Sequence, residues 1–406
     1  MWNIKEIKDQ KIYVIEKLKN CINPQEQERL ELTLVSYLTM LDNSGTIRYT
    51  KIPNIIDNFA NNKLSLKRKK KINKLQFLEV NYGKPTDDYV SFLMELCDNI
   101  LQTKDCYTSD EDFSQCNPTL EELKQTSKSF YQSLGDEEIL TKANKVLEDD
   151  SCFTITDTVR KGYERVGGIA FQDSVFDKTY ISVVKSNNLF EYQALNHEVM
   201  HGIDFLMSKN KMPSKYHEGF HEIPTYTIDY FFIDYLESLN FPKREVQQLR
   251  INKDSYLQGL AASTKFRIKE EMRMKYADSL RGYSDSHGHS EEIYIDNPNN
   301  LHFSAYEVKD FLKESKFCLG KLLELESGVV SYGLYKQIKE NKEMGLNSLK
   351  ELMRNPLPKD QIPDFSFINL DNNTLLDLSK EIGTFSLENG HNIEEAPKAA
   401  SSAPVK

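Results

Sequence analysis

No two of the six cysteines (Cys21, Cys97, Cys106, Cys116, Cys152 and Cys318) stand in Cys-x-x-Cys spacing, which argues against a thiolate metal cluster. Such sparse usage fits a reducing compartment and free thiols, with one disulfide among Cys106, Cys116 and Cys152 as the open alternative. Long apolar runs are missing too: nothing approaches the roughly 18 residues of a membrane span. Residues Met1 to Asn20 alternate charged and apolar positions without a signal-peptide core, so no ordinary secretion route is expected. There is no Gly-rich phosphate loop and no Gly-x-Ser-x-Gly elbow, which argues against P-loop nucleotide binding and a serine-hydrolase turn. Positive charge is in deficit, with 52 Lys and Arg against 62 Asp and Glu and a net charge of −10. Such a chain is not built to coat nucleic acid or an anionic membrane.

What is present is a folding chain. Hydrophobic residues make up 39%, with 21 Tyr and 21 Phe, enough for a sizeable core. Ile4, Ile7, Ile12, Ile15 and Leu18 recur at helical spacing, and Leu30 to Leu41 suggests a second helix. Helical patterning resumes over Tyr89–Thr103 and Leu120–Leu147, with a polar loop expected between Thr103 and Asn117. The basic run Lys67–Lys71 reads as a solvated face. Near Cys152 the pattern changes. Cys152–Thr156, Gly167–Phe171 and Tyr180–Val184 read as strands, the last two joined by a polar turn around Asp173–Lys178. From Ile223 to Phe365 helices dominate again, and the polar tail from Asn389 is expected to be disordered. No internal repeat of fixed period is visible. The expected fold is mainly α with a small β-sheet, divided into a helical N-terminal domain at 1–150, a second domain at 151–385 and a disordered tail at 386–406.

The chemistry concentrates at His197-Glu198-Val199-Met200-His201, inside a segment from Asn187 to Met207 with no Pro and no Gly before Gly202. On a helix, residues four apart share a face, so two imidazoles one turn apart can hold one Zn²⁺. Glu198 is then placed to take a proton from a metal-activated water. A catalytic zinc needs a third protein ligand. The candidates are His217, Glu218, His221, Glu222 and Asp229. Pro224 suits a first helical turn, so Ile223–Leu239 reads as a helix. Glu222, Tyr226 and Asp229 fall on one stripe of it. This favours Glu222 as ligand, with Asp229 or Tyr226 behind a ligand imidazole; His217 and His221 compete for the same role.

These residues resemble the gluzincin zinc metallopeptidases, marked by His-Glu-x-x-His and a Glu ligand on a second helix. The gap from His201 to Glu222 is near that group's spacing. Glu222-Ile223-Pro224 also resembles the oligoendopeptidase and thimet oligopeptidase family, with its Glu-x-Pro-Ser-Gln pattern. The chain departs from that pattern with Thr225, Tyr226 and no Gly before His201. The likeness spans about residues 190–235, so it supports the clan more than one family. Asp204 and Met207 stand where a metzincin needs Gly and His.

The resemblance implies a zincin-like catalytic domain whose sheet edge pairs with an extended peptide. It also implies that Glu198 acts as general base and then acid, and that a Tyr or His from a distant segment stabilises the oxyanion. Tyr283 and His289, in the polar stretch Gly282–Glu292, and Tyr332, in Ser331–Tyr335, are the candidates. The alternatives are a surface loop for the first stretch, a core helix for the second, and a separate metal site at His287 and His289.

The expected function is therefore a zinc-dependent endopeptidase acting on a protein or peptide, with the N-terminal helices as scaffold. The alternative is a non-catalytic helical interaction protein with a structural or inactive zinc site. The expected location is cytoplasmic, or inside a host cell reached by a non-classical effector route. The Lys-, Asn- and Ile-rich composition and the polar, Glu-containing C-terminus suggest the latter, with a host protein as substrate.

Overall fold

The computed structural model describes residues 2–41, 85–103, 116–156, 167–208, 218–287, 305–358 and 361–384. The basic run, most of the polar loop, His217, His289, Cys106 and the tail lie outside them.

The amphipathic N-terminus forms α1 (Ile4–Asn20), capped by the Asn3 side chain, which accepts from the Glu6 amide at 3.2 Å. It pairs with α2 (Pro24–Leu41). Helix α3 (Asp87–Gln102) follows. The expected helical stretch 120–147 is two helices, α4 (Leu120–Leu134) and α5 (Glu137–Leu147). Gly135 breaks it with a left-handed φ of 68°, and Asp136 restarts it by accepting from the amides of Glu138 and Ile139.

Three strands come next: β1 (Phe153–Thr156), β2 (Gly168–Asp173) and β3 (Lys178–Val184), in the order β1-β3-β2. β1 runs parallel to β3, and β2 is antiparallel to it. The hairpin turn is tied by Asp173, whose carboxylate accepts from the amides of Val175 and Phe176, both at 3.0 Å. Val184 N–H donates to Gly167 O at 2.8 Å. That fixes the pairing phase, so Gly168, Ala170 and Gln172 turn their peptide groups away from β3. Strand β2 therefore has an outer edge.

The helices α6 (Phe190–Met207), α7 (Glu222–Ser238), α8 (Lys243–His287), α9 (Ala305–Glu314), α10 (Lys316–Glu340), α11 (Lys342–Arg354) and α12 (Asn372–Ser379) complete the described chain. The stretch from Gly282, for which a surface loop was one of the readings, continues α8 as far as His287. α6 packs between α5, the sheet and α7. A Cβ on Gly202 would lie 2.9 Å from Val146 and 3.1 Å from Thr179, so this glycine lets α5 and β3 close onto the helix.

The chain on either side of residue 150 is interleaved. Trp2 donates its indole N–H toward Cys152 O at 3.1 Å and Ile181 O at 3.2 Å. Ser36 of α2 donates to Gln172 O at 3.1 Å, covering one end of the β2 edge. Cys116 and Cys152 are free thiols, which leaves neither for the disulfide considered above. Among the described residues, no helix is long and apolar enough to cross a membrane.

Candidate metal centre and catalytic cleft

α6 brings His197 and His201 together because they are one helical turn apart, with ring centroids separated by 5.0 Å. The same helix buries Leu195, Val199, Met200 and Ile203, which fixes the direction in which the histidines face. α7 delivers Glu222 from its first turn. Oε2 of Glu222 lies 3.4 Å from His197 Nε2, and Oε1 lies 3.5 Å from His201 Nε2. All three side chains offer a ligand atom within 4.8 Å of one another. Tetrahedral zinc with bonds near 2.0–2.1 Å separates its ligand atoms by about 3.3 Å, so these residues fit the ion.

Two of the competing ligands, His221 and Asp229, are turned to other partners. His221 turns its Nδ1 to Asp204 Oδ2 at 2.8 Å and is not part of the trio. Asp229 sits one step behind, its Oδ2 3.1 Å from His197 Nδ1. That contact leaves Nε2 of His197 facing the trio.

The electrostatics follow from burial and neighbours. Burial opposes protonation of His197, but the Asp229 charge and hydrogen bond outweigh it and hold the ring well above the usual histidine range. Burial pushes His201 down to about 4. Glu222 would rise on burial alone, yet His201 and His197 bring it down to about 2. Burial pushes Glu198 up to about 8, helped by the charges of Glu222 and Asp229 and opposed by His197 and by a hydrogen bond from the Ala170 N–H. That last contact joins the candidate base to the outer edge of β2.

A cavity of about 320 Å³ opens beside this cluster. Gly168 of β2, Gln193, His197 and Glu198 of α6, Tyr226 of α7 and Lys253 and Tyr256 of α8 are among the residues lining it. Of the three residues suggested for the oxyanion, Tyr332 is not brought there. Tyr332 is buried in the core, its ring 5.7 Å from that of Tyr230 and 6.2 Å from that of Tyr335, and its hydroxyl 3.3 Å from Thr384 Oγ1. Tyr283 stands on the last turns of α8, and His289 is outside the described residues. Instead, Tyr256 lines the cavity. Its hydroxyl accepts from Tyr226 at 3.3 Å and donates to Glu324 Oε1 at 2.6 Å. Sequence reasoning missed Tyr256 and Lys253, because nothing in local spacing ties α8 to the motif.

No protein-family profile matches this chain, and neither does any curated protein. Solved structures do resemble it. PZ peptidase A, in complex with an inhibitor, is 9% identical, matches over 95% of this chain and 97% of its own, and superposes with a TM-score of 0.51. A structure assigned as an oligoendopeptidase F, from Bacillus anthracis, is 11% identical over 92% of this chain and 69% of its own, with a TM-score of 0.45. At these identities the likeness carries the fold alone: a mainly helical architecture with a small sheet.

Proposed function

We propose that this protein is a zinc-dependent endopeptidase. The observation that carries the reading is the trio of His197, His201 and Glu222, whose ligand atoms lie within 4.8 Å of one another, with Glu198 beside it and tied to the edge of β2. His197, His201 and Glu222 would hold the ion. Bound Zn²⁺ supplies a Lewis acid that polarises a carbonyl and lowers the pKa of water.

The remaining work falls to the chain's own groups. The outward peptide group of Gly168 pairs with an extended substrate, as an edge strand does. Glu198 takes the proton of the attacking water and passes it to the leaving amine; a carboxyl held near neutral pH suits both halves of that exchange. Tyr256, its hydroxyl turning from Glu324 to the substrate, takes the role of oxyanion donor considered above for Tyr283, His289 and Tyr332. Residues 1–150 serve as scaffold, and a host-cell protein reached by an effector route is one source of substrate.

The test is metal analysis of the purified chain, followed by mapping of new N-termini in a protein extract treated with wild type or Glu198→Ala. Zinc at one equivalent in both proteins, with cleavage by wild type alone, supports the proposal. A zinc-loaded Glu198→Ala variant that cleaves like wild type overturns it. Bound zinc without any cleavage favours the alternative, a structural centre in an interaction protein.

A further inference from the structure

Lys253 is out of place for a lysine. Its side chain is only 8% exposed, and it sits on α8 in the wall of the cavity. Nζ lies 2.9 Å from Asp229 Oδ2, the same oxygen that lies 3.1 Å from His197 Nδ1. The ammonium also stands over two rings, 4.1 Å from the centroid of Tyr226 and 5.1 Å from that of Tyr230. Burying an ammonium costs several kcal/mol unless it is compensated. Here one carboxylate and two aromatic faces compensate it.

Asp229 needs the lysine as much. It is 3% exposed, and its Oδ1 has no hydrogen-bond partner among the described residues. The contacts of the carboxylate with His197 and Lys253 converge on Oδ2. Without Lys253, that carboxylate would be anchored only by the imidazole it orients, and its charge would stand near Glu222 and Glu198 without the lysine ammonium.

We propose that Lys253 is a positioning residue of the metal centre: it anchors Asp229, which fixes the His197 ring, and so sets the affinity of the trio for zinc. The inference rests on reading His197, His201 and Glu222 as metal ligands. It concerns metal affinity and does not require that the protein be a peptidase.

The test measures the zinc dissociation constant of the full chain by competition with a chromophoric chelator. Wild type, K253M, K253R, D229N and the double variant K253M/D229N are compared, each well below its own unfolding temperature. K253M and D229N should each weaken zinc binding by about 10–100-fold. The double variant should bind within about threefold of D229N alone, because the lysine acts through the aspartate. K253R, which keeps the charge, should recover part of the loss. Should K253M fail to fold, K253Q takes its place in the cycle.

K253M binding zinc as tightly as wild type overturns the proposal. Losses that multiply in the double variant also overturn it, since they would mark Lys253 as a packing residue independent of Asp229. A wild-type chain that takes up no zinc is a different result: it overturns the metal reading itself.

Discussion

Gly168 and Glu198 are in such close approach that a Cβ on the glycine would lie 2.6 Å from Cγ of Glu198 and 2.9 Å from its Oε1. The carbonyl of Ser182, also 2.9 Å away, closes the other side. The candidate base is therefore held against the bare backbone of an edge strand, where it also accepts the Ala170 N–H. Gly168→Ala must displace either the carboxylate or the strand. The expected outcome is a fall in kcat of about 10²-fold, the scale of a misplaced catalytic group, with zinc content unchanged. Overpacking should cost about 1–3 kcal/mol of stability. Peptidase assays with metal analysis check this, and a fully active variant would show that Glu198 works from another position.

Tyr256 and Tyr332 separate site from core. Tyr256→Phe removes the hydroxyl that lines the cleft and should lower kcat by about 10²–10³-fold, as loss of one oxyanion donor does. Tyr332→Phe removes a buried hydroxyl near Thr384 and should cost about 0.5–1.5 kcal/mol of stability with activity intact. Steady-state kinetics and denaturant melts on both variants are sufficient. The opposite pattern would return the role to Tyr332.

The same contrast marks what was readable before the structure. The motif is a local fact: four residues on a helix put two imidazoles on one face whatever the tertiary fold. Glu222 was legible as far as its stripe, because the stripe too is local. Choosing it over His221 needed the fold, which turns His221 to Asp204. Lys253 and Tyr256 carry no spacing signal at all, since α8 reaches the cleft by tertiary packing against helices that include α3, α7 and α10. The strands were legible by alternation, but the order that leaves β2 on the edge was not. Gly135 breaks the helical stretch expected over Leu120–Leu147. A single glycine acts through its φ and its neighbours, and neither is written in composition.

Zinc removal should destabilise the chain. An ion that binds only the folded state contributes RT ln(1 + [Zn]/Kd), about 4 kcal/mol at a thousandfold excess over Kd. Thermal unfolding of wild type should shift down in excess chelator and recover with zinc. His201→Ala, lacking one of the three candidate ligands, should show little of either shift. A wild-type transition indifferent to both chelator and zinc would count against a metal centre at these residues.

Glu326 offers a pH test remote from the metal centre. It is fully buried on α10, and its Oε2 accepts from the Tyr89 hydroxyl at 2.5 Å. Burial pushes its carboxyl from 4.5 up to about 8, with the Tyr89 hydrogen bond opposing. Between those values the folded chain keeps a proton that the unfolded chain has released. The contribution is therefore fully present below about 4.5, falls as pH rises, and is lost beyond about 8. The slope is about 1.4 kcal/mol per pH unit at most. Glu326→Gln keeps the shape and an acceptor for Tyr89 but does not titrate. The wild-type stability minus that of the variant should decline across this window and then level off, as read from denaturant midpoints in a pH series. A flat difference would mean that Glu326 titrates alike in the folded and unfolded chains.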